Sequence, residues 1–201
     1  MDIKRNKLLL ATNNPGKLKE MSVLLSELAL EVTTPLEQGI HLEVDESGKT
    51  FEANAKLKAE AFSSLSGLMS LSDDSGLEVD VLKGEPGVMS ARYAGPNASD
   101  QDRVQYLLDK LKGIPLGRRS ARFRCVMAIS RPGEEVEIFE VVCEGIIGEE
   151  PKGSGGFGYD PIFYIPSLGV NMAELSIENK NSISHRGIAS RKVRQYLSAI
   201  L

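Results

Sequence analysis

The sequence predicts an α/β protein built on a mixed β-sheet, and two observations carry that prediction. Short apolar runs that read as buried strands alternate with segments whose apolar residues recur every three or four positions. In addition, two strand-like segments are joined by a Pro-Gly turn, which adds a hairpin to an otherwise alternating order. The length, 201 residues, suits one compact domain, or two lobes around one cleft. A chain of this size buries roughly 70% of its unfolded surface and needs no disulfide or metal staple.

The elements follow in order. Leu8 to Ala11 is a short apolar run, a buried strand, and it ends in the polar turn Thr12-Asn13-Asn14-Pro15-Gly16-Lys17. Asn14 as N-cap and Pro15 at the first helical position start a helix whose stripe is Leu18, Met21, Leu24, Leu25 and Leu28. A second strand is expected near Glu31 to Thr34, followed by the acidic loop Glu43 to Gly48. Thr50 caps the next helix, with Phe51, Ala55, Ala59 and Phe62 on one face and Asn54 and Lys58 on another, four residues apart. Gly67 ends that helix, and Leu68 to Leu71 reads as a strand running into Ser72-Asp73-Asp74-Ser75-Gly76 and then Leu77-Glu78-Val79. Ser99 and Asp102 form a capping box ahead of the stripe Val104, Leu107, Leu108 and Leu111, which Gly113 and Pro115 bring to a stop. In the hairpin, Phe123, Cys125, Met127 and Ile129 alternate with Arg122, Arg124, Val126 and Ala128; Pro132-Gly133 turns the chain, and the partner strand covers about Val136 to Cys143. A glycine-rich loop from Gly153 to Pro161 leads into Ile162-Phe163-Tyr164, and a last helix starts near Ser184 with Ile188, Val193, Tyr196, Leu197 and Ile200.

Composition narrows the function classes. Lys and Arg total 24 against 28 Asp and Glu, a net charge of -4, so a basic face for generic nucleic-acid binding is not expected. No apolar run approaches the roughly 20 residues of a membrane-spanning helix. The first residues, Met1 to Thr12, turn polar too soon for a signal peptide. Cys125 and Cys143 lie in separate strand-like segments, outside any Cys-x-x-Cys pair, and are expected as free thiols in a reducing compartment, the cytoplasm.

Four constellations can carry chemistry. Thr12 to Lys17 opens a helix, where free N–H groups and a lysine attract an anion. It is not a Walker A loop, because Ala11 and Leu18 stand where that loop has Gly and Ser or Thr. Read alone, it is equally an Asn-Pro-Gly turn with a solvated lysine. The pair Asp73-Asp74 at a strand's end, with Glu43, Asp45 and Glu46 elsewhere, offers hard oxygen ligands for Mg²⁺; an ordinary Asp-Asp-Ser-Gly turn also explains it. Ser184-His185-Arg186, with Lys180 before it, supplies donors for a substrate or simply opens a capped helix with exposed cations. A Ser-His hydrolase is disfavoured, since no Gly-x-Ser-x-Gly elbow occurs and His41 is the only other histidine. Finally, Phe157 lies between glycines, where its ring stacks on a base or tucks into the core, and Asp160 can accept hydrogen bonds from a base or ribose.

Taken together and in this order, five blocks resemble the inosine triphosphate pyrophosphatase family, also described as dITP/XTP pyrophosphatases. They are Ala11 to Lys17, Ser72 to Leu77, Pro86 to Gly95, Gly155 to Pro161 and Lys180 to Gly187. The resemblance covers nearly the whole chain and implies a long mixed sheet flanked by helices, in two lobes with a central cleft that holds the substrate. It implies a single pyrophosphatase domain over residues 1–201, Mg²⁺ as cofactor, a homodimer, and hydrolysis of ITP, XTP and their deoxy forms to monophosphate and pyrophosphate. It places Thr12, Asn13, Asn14, Pro15, Gly16 and Lys17 around the triphosphate, with Lys17 assisting catalysis. Asp74 matches the proton acceptor and metal position, Asp73 and Glu46 the further metal-side carboxylates, and Ser75 a substrate contact. Phe157, Gly158, Tyr159 and Asp160 match the base loop, with Phe157 stacking, and Lys180, His185 and Arg186 the remaining substrate contacts. A donor such as Arg186 is expected to bond a 6-keto oxygen and to meet the amino group of adenine without a partner. Two other readings stay open: a nucleotide-binding sensor without catalysis, and a pyrophosphatase for other modified triphosphates.

Overall fold

The computed structural model describes residues 7–26, 28 and 30–200; the reading of the first six residues lies outside them. Seven strands form one mixed sheet in the order β2-β1-β3-β4-β5-β6-β7, with β1 Lys7–Leu10, β2 Glu31–Thr33, β3 Met69–Val79, β4 Ser120–Ser130, β5 Glu137–Ile147, β6 Phe163–Ile165 and β7 Val170–Asn171. The helices are α1 Pro15–Leu25, α2 Phe51–Ser66, α3 Asp100–Lys110, α4 Ile177–Ile183 and α5 His185–Ile200. Strand β1 is parallel to β2 and β3, whereas β6 is antiparallel to β5 and β7. No helix among the described residues is long and apolar enough to cross a membrane.

The chain divides into two compact units. One comprises the chain up to Asp74, Cys125–Val141 and the chain from Arg186; the other comprises Ser75–Arg124 and Val142–His185. In the first unit the sheet is buried on both faces, as parallel strands require. Leu8 and Leu10 of β1, Met69 and Leu71 of β3 and Cys125, Met127 and Ile129 of β4 pack with Met21 and Leu25 of α1 and Val193 and Leu197 of α5. The alternate residues, Leu9 and Ala11, meet Phe62 of α2 and Leu68. The second unit has its own core, in which Val104 and Leu107 of α3 meet Leu77, Val79, Phe123, Ile147, Phe163 and Tyr159.

Local chemistry explains most boundaries. The Asn14 side chain accepts from Lys17 N, Thr50 accepts from Ala53 N, and Ser99 and Asp102 close a reciprocal capping box. Gly67 takes the left-handed conformation (φ 68°) that ends α2. Several expectations are corrected. The third strand does not stop at Leu71: β3 runs 11 residues, so Asp73 and Asp74 lie mid-strand and not at a terminus or in a turn. The hairpin's second strand reaches Ile147 and not Cys143, because β6 pairs with Ile146 and Ile147. A short helix, α4, precedes the last one. Ile200 is 40% exposed and lies outside the stripe of α5.

Candidate active site

The first unit builds a charged cluster around β3. Successive side chains of a strand point to opposite faces, so Asp73 follows Met69 and Leu71 toward α1 and α5, while Asp74 follows Ser70 and Ser72 toward α2. The core contacts of Met69 and Leu71, and the Ser72 hydroxyl donating to Ala55 O of α2 at 2.6 Å, mark these two faces.

On the α1/α5 face Asp73 is wholly buried. Its Oδ1 lies 2.5 Å from Lys17 Nζ and its Oδ2 2.8 Å from Arg186 Nε, while Arg186 Nη1 donates to Glu20 Oε2 at 2.7 Å. Lys17 also donates to Asp73 O at 3.0 Å, and the Cys125 thiol lies 3.4 Å from Asp73 Oδ2. Lys17 and Arg186 each head the buried stripe of a helix. A cation there opposes the helix dipole, so the carboxylates of Asp73 and Glu20 are what hold them. Burial works to raise the Asp73 carboxyl, but the charges of Arg186 and Lys17 outweigh it and keep it well below the usual carboxylate range. Burial also pushes the Cys125 thiol well up, with Asp73 adding to the shift.

On the α2 face Lys58 Nζ donates to Glu46 Oε1 at 2.7 Å, Asp74 Oδ1 at 3.0 Å and Asp73 O at 3.0 Å. Burial raises the Asp74 carboxyl; the nearby Lys58 and Lys17 charges oppose this, Glu46 adds to it, and the net direction is upward. Burial disfavours the Lys58 ammonium, but Asp74 and Glu46 outweigh that and raise it. Asp74 Oδ2 is buried without a hydrogen-bond partner among the described residues.

These contacts show what pairs the carboxylates and the arginine that the sequence singles out. Among the described residues no group of three His, Cys, Asp or Glu side chains is arranged to hold a metal ion. Asp73 in particular has a cation on each oxygen. Glu46 and Asp74 instead share one ammonium. Arg186 is 2% exposed and directs two of its nitrogens to carboxylates. Of the residues expected around the triphosphate, Asn13, Asn14 and Pro15 are exposed, Gly16 is half-buried, and buried Thr12 accepts from Asn14 N at 3.2 Å.

The second unit holds the glycine loop. Asp160 Oδ2 accepts from Phe157 N at 2.9 Å and from Lys180 Nζ at 2.5 Å, and Gly158 N donates to Asp100 Oδ2 at 2.7 Å. Lys180 Nζ lies 5.0 Å from the centre of the half-buried Phe157 ring, within cation–π range. Gly156 is required here: at φ 70° a Cβ would stand 2.0 Å from Asp160 Oδ2. Lys180, Asp160 and His185 are buried, and the imidazole of His185 stacks on Phe123 at 4.7 Å. Lys180, His185 and Arg186 are thus interior groups, unlike the exposed cations of the plain capped-helix alternative. Tyr159, expected at the substrate, is a core residue whose hydroxyl donates to Ser90 O at 2.9 Å. That contact ties the block from Pro86 to Gly95 to the loop. Ser75 is half-buried, on β3.

Sequence reasoning missed Lys58, Glu20 and Asp100. Lys58 was visible as the polar partner of Asn54 on a helix face, and Glu20 as the residue one turn after Lys17. Asp100 read only as part of a capped helix start.

The chain matches the model of the Ham1 family over residues 8–196. It is 50% identical over 194 residues to the dITP/XTP pyrophosphatase of Desulforamulus reducens, covering 96% of each chain. It is 48% identical over 191 residues to the dITP/XTP pyrophosphatase of Bacillus subtilis, covering 95% of this chain and 96% of that one. The solved structure of the Staphylococcus aureus Ham1 protein matches with a TM-score of 0.87 at 41% identity, covering 97% of this chain and 100% of that chain.

Proposed function

The chain belongs to the Ham1 family, and on that premise we propose that it hydrolyses non-standard purine nucleoside triphosphates, ITP and XTP with their deoxy forms, to the monophosphate and pyrophosphate. Near-full-length likeness to proteins named for that activity supports the reaction. The observation that carries the chemistry is Asp74, a buried carboxylate with one oxygen fixed by Lys58 and the other without a partner among the described residues. In the proposed step Asp74 accepts the proton of a water whose oxygen attacks the α-phosphorus. The bond from that phosphorus to the bridging oxygen breaks, and its electron pair leaves with pyrophosphate. Lys58 keeps Asp74 in one orientation, and Lys17, with the turn Asn13 to Gly16, takes the triphosphate.

Charge supports a divalent cation. Lys17, Lys58 and Arg186 face Glu20, Glu46, Asp73 and Asp74, three cations against four carboxylates, so these groups offer a polyanion no net positive charge. Mg²⁺ suits one or two carboxylates plus phosphate oxygens, which Glu46 and Asp74 fit and Asp73 does not. When bound, it would offset triphosphate charge and stabilise the charge developing on the leaving group.

For the base, Phe157 supplies a stacking ring and Lys180 a donor beside it. A 6-keto oxygen accepts from such a donor, whereas the 6-amino group of adenine cannot, a difference of about 1–3 kcal/mol. Asp160 and Asp100 shape the loop, and His185 orients the start of α5. The proposal extends to residues 1–201 as one pyrophosphatase domain, to a homodimer, and to the cytoplasm as its place of work.

Pyrophosphate release with Mg²⁺ from ITP, XTP, GTP, ATP and CTP in parallel tests this. Fast release from ITP and XTP alone is expected. Uniform rates would discard the base assignment, and tight binding without release from any of them would make the protein a sensor.

A further inference from the structure

Asn54 of α2 is wholly buried, and neither its Oδ1 nor its Nδ2 has a hydrogen-bond partner among the described residues. Folded proteins pair nearly all such groups, and an exception calls for a use. Its surroundings say which. Lys58 lies four residues on, on the same face of α2, and helical side chains lean toward the helix N-terminus, which brings the Lys58 stem over the turn that carries Asn54. From the other side, the acidic loop closes in. A Cβ on Gly48 would stand 2.5 Å from Asn54 Oδ1, and Glu46, two residues earlier, holds Lys58 Nζ at 2.7 Å. Lys58 in turn holds Asp74, whose Oδ2 is the other buried polar atom in this cluster without a partner among the described residues. Around Lys58 the cluster thus holds a carboxylate acceptor and a carboxamide with both a donor and an acceptor. Water, small and both donor and acceptor, matches the set.

We infer that Asn54 and Asp74 Oδ2 together seat the water that attacks the α-phosphorus, with Asn54 as the residue that aims it. This rests on the hydrolytic reading above. The water proton passes to Asp74 Oδ2, the oxygen bonds to phosphorus, and the displaced pair leaves on pyrophosphate. Asn54 itself gains and loses no proton.

The test uses the full chain with ITP and Mg²⁺. Asn54→Leu, close in volume but apolar, is expected to lower kcat about 100-fold with KM within about threefold, while thermal stability holds or rises because an unpaired buried amide has been removed. Asn54→Ser, which keeps a donor and an acceptor, is expected to recover part of kcat. A second readout is product partition in aqueous methanol. Asn54→Ala should raise the ratio of nucleotide methyl ester to free monophosphate on the order of tenfold, since the wider seat no longer favours water. Unchanged kcat in Asn54→Leu, or joint loss of stability and affinity with an unchanged methanol ratio in Asn54→Ala, overturns the water seat. If the unaltered protein itself releases no pyrophosphate, it is the hydrolytic reading that has failed, and the water seat falls with it.

Discussion

On the α1/α5 face of β3, Asp73 has Lys17 on one oxygen and Arg186 on the other, with the Cys125 thiol and the apolar core beneath. On the α2 face, Asp74 has Lys58 on one oxygen and no partner among the described residues on the other. One step along the chain separates them. The first carboxylate is held well below its ordinary range and the second is raised, although both are buried. Burial alone therefore does not decide what an acidic residue is for; the number of cations committed to it does. A carboxylate saturated by charge partners contributes structure, while one left short of partners retains a site for a proton.

The sharpest break of this comparison is to neutralise each side in turn. Asp74→Asn is expected to reduce kcat by about 10²–10⁴-fold with nucleotide binding preserved. Its unfolding free energy in urea should change by less than about 1 kcal/mol, since Lys58 keeps Glu46. Steady-state rates near those of the parent would remove Asp74 from the chemistry. Asp73→Asn should do the reverse, costing about 3–5 kcal/mol of stability by leaving Lys17 and Arg186 underpaired in the interior. A urea midpoint unchanged from the parent would mean that the sealed face is not what holds these cations. The mildest test concerns the thiols. Burial pushes Cys143 up to about 11, so about one molecule in a thousand carries its thiolate at pH 8, and Cys125 is raised well above its ordinary value. Iodoacetamide at pH 8 should leave both unmodified until denaturant is added, as mass spectrometry would record. Prompt labelling of Cys125 in the folded protein would mean the Asp73 face opens to solvent.

Features that rest on local chemistry are legible in the amino-acid sequence itself. Asn14, Thr50, Ser99 and Gly67 announce helix ends because a cap acts on backbone groups only a few residues away. What stays hidden depends on distance along the chain. Arg186 reaches Glu20 across 166 positions, and no pattern within a window of 10 or 15 residues, about the span of a helical stripe, encodes that pairing. The continuation of β3 is hidden for another reason: Asp-Asp-Ser-Gly has the composition of a turn, and only neighbouring strands override it. The helix α4, 7 residues long, is too short to show a stripe. Nor does residue type show that Tyr159 and Lys180 are interior groups, each with its polar tip bonded.

The alternation of β3 also limits how this protein can change over evolutionary time. Deleting or adding one residue between Leu71 and Asp73 would exchange the two faces for every side chain that follows. Asp74 would then point at Lys17 and Arg186, and its predecessor at Lys58. The strand works as a ruler whose length is part of its chemistry. Lineages can explore substitutions along it, while insertions and deletions are confined to the loops at its ends. Grafting this carboxylate pair into another parallel sheet would likewise have to preserve its parity relative to the flanking helices before any residue identity mattered.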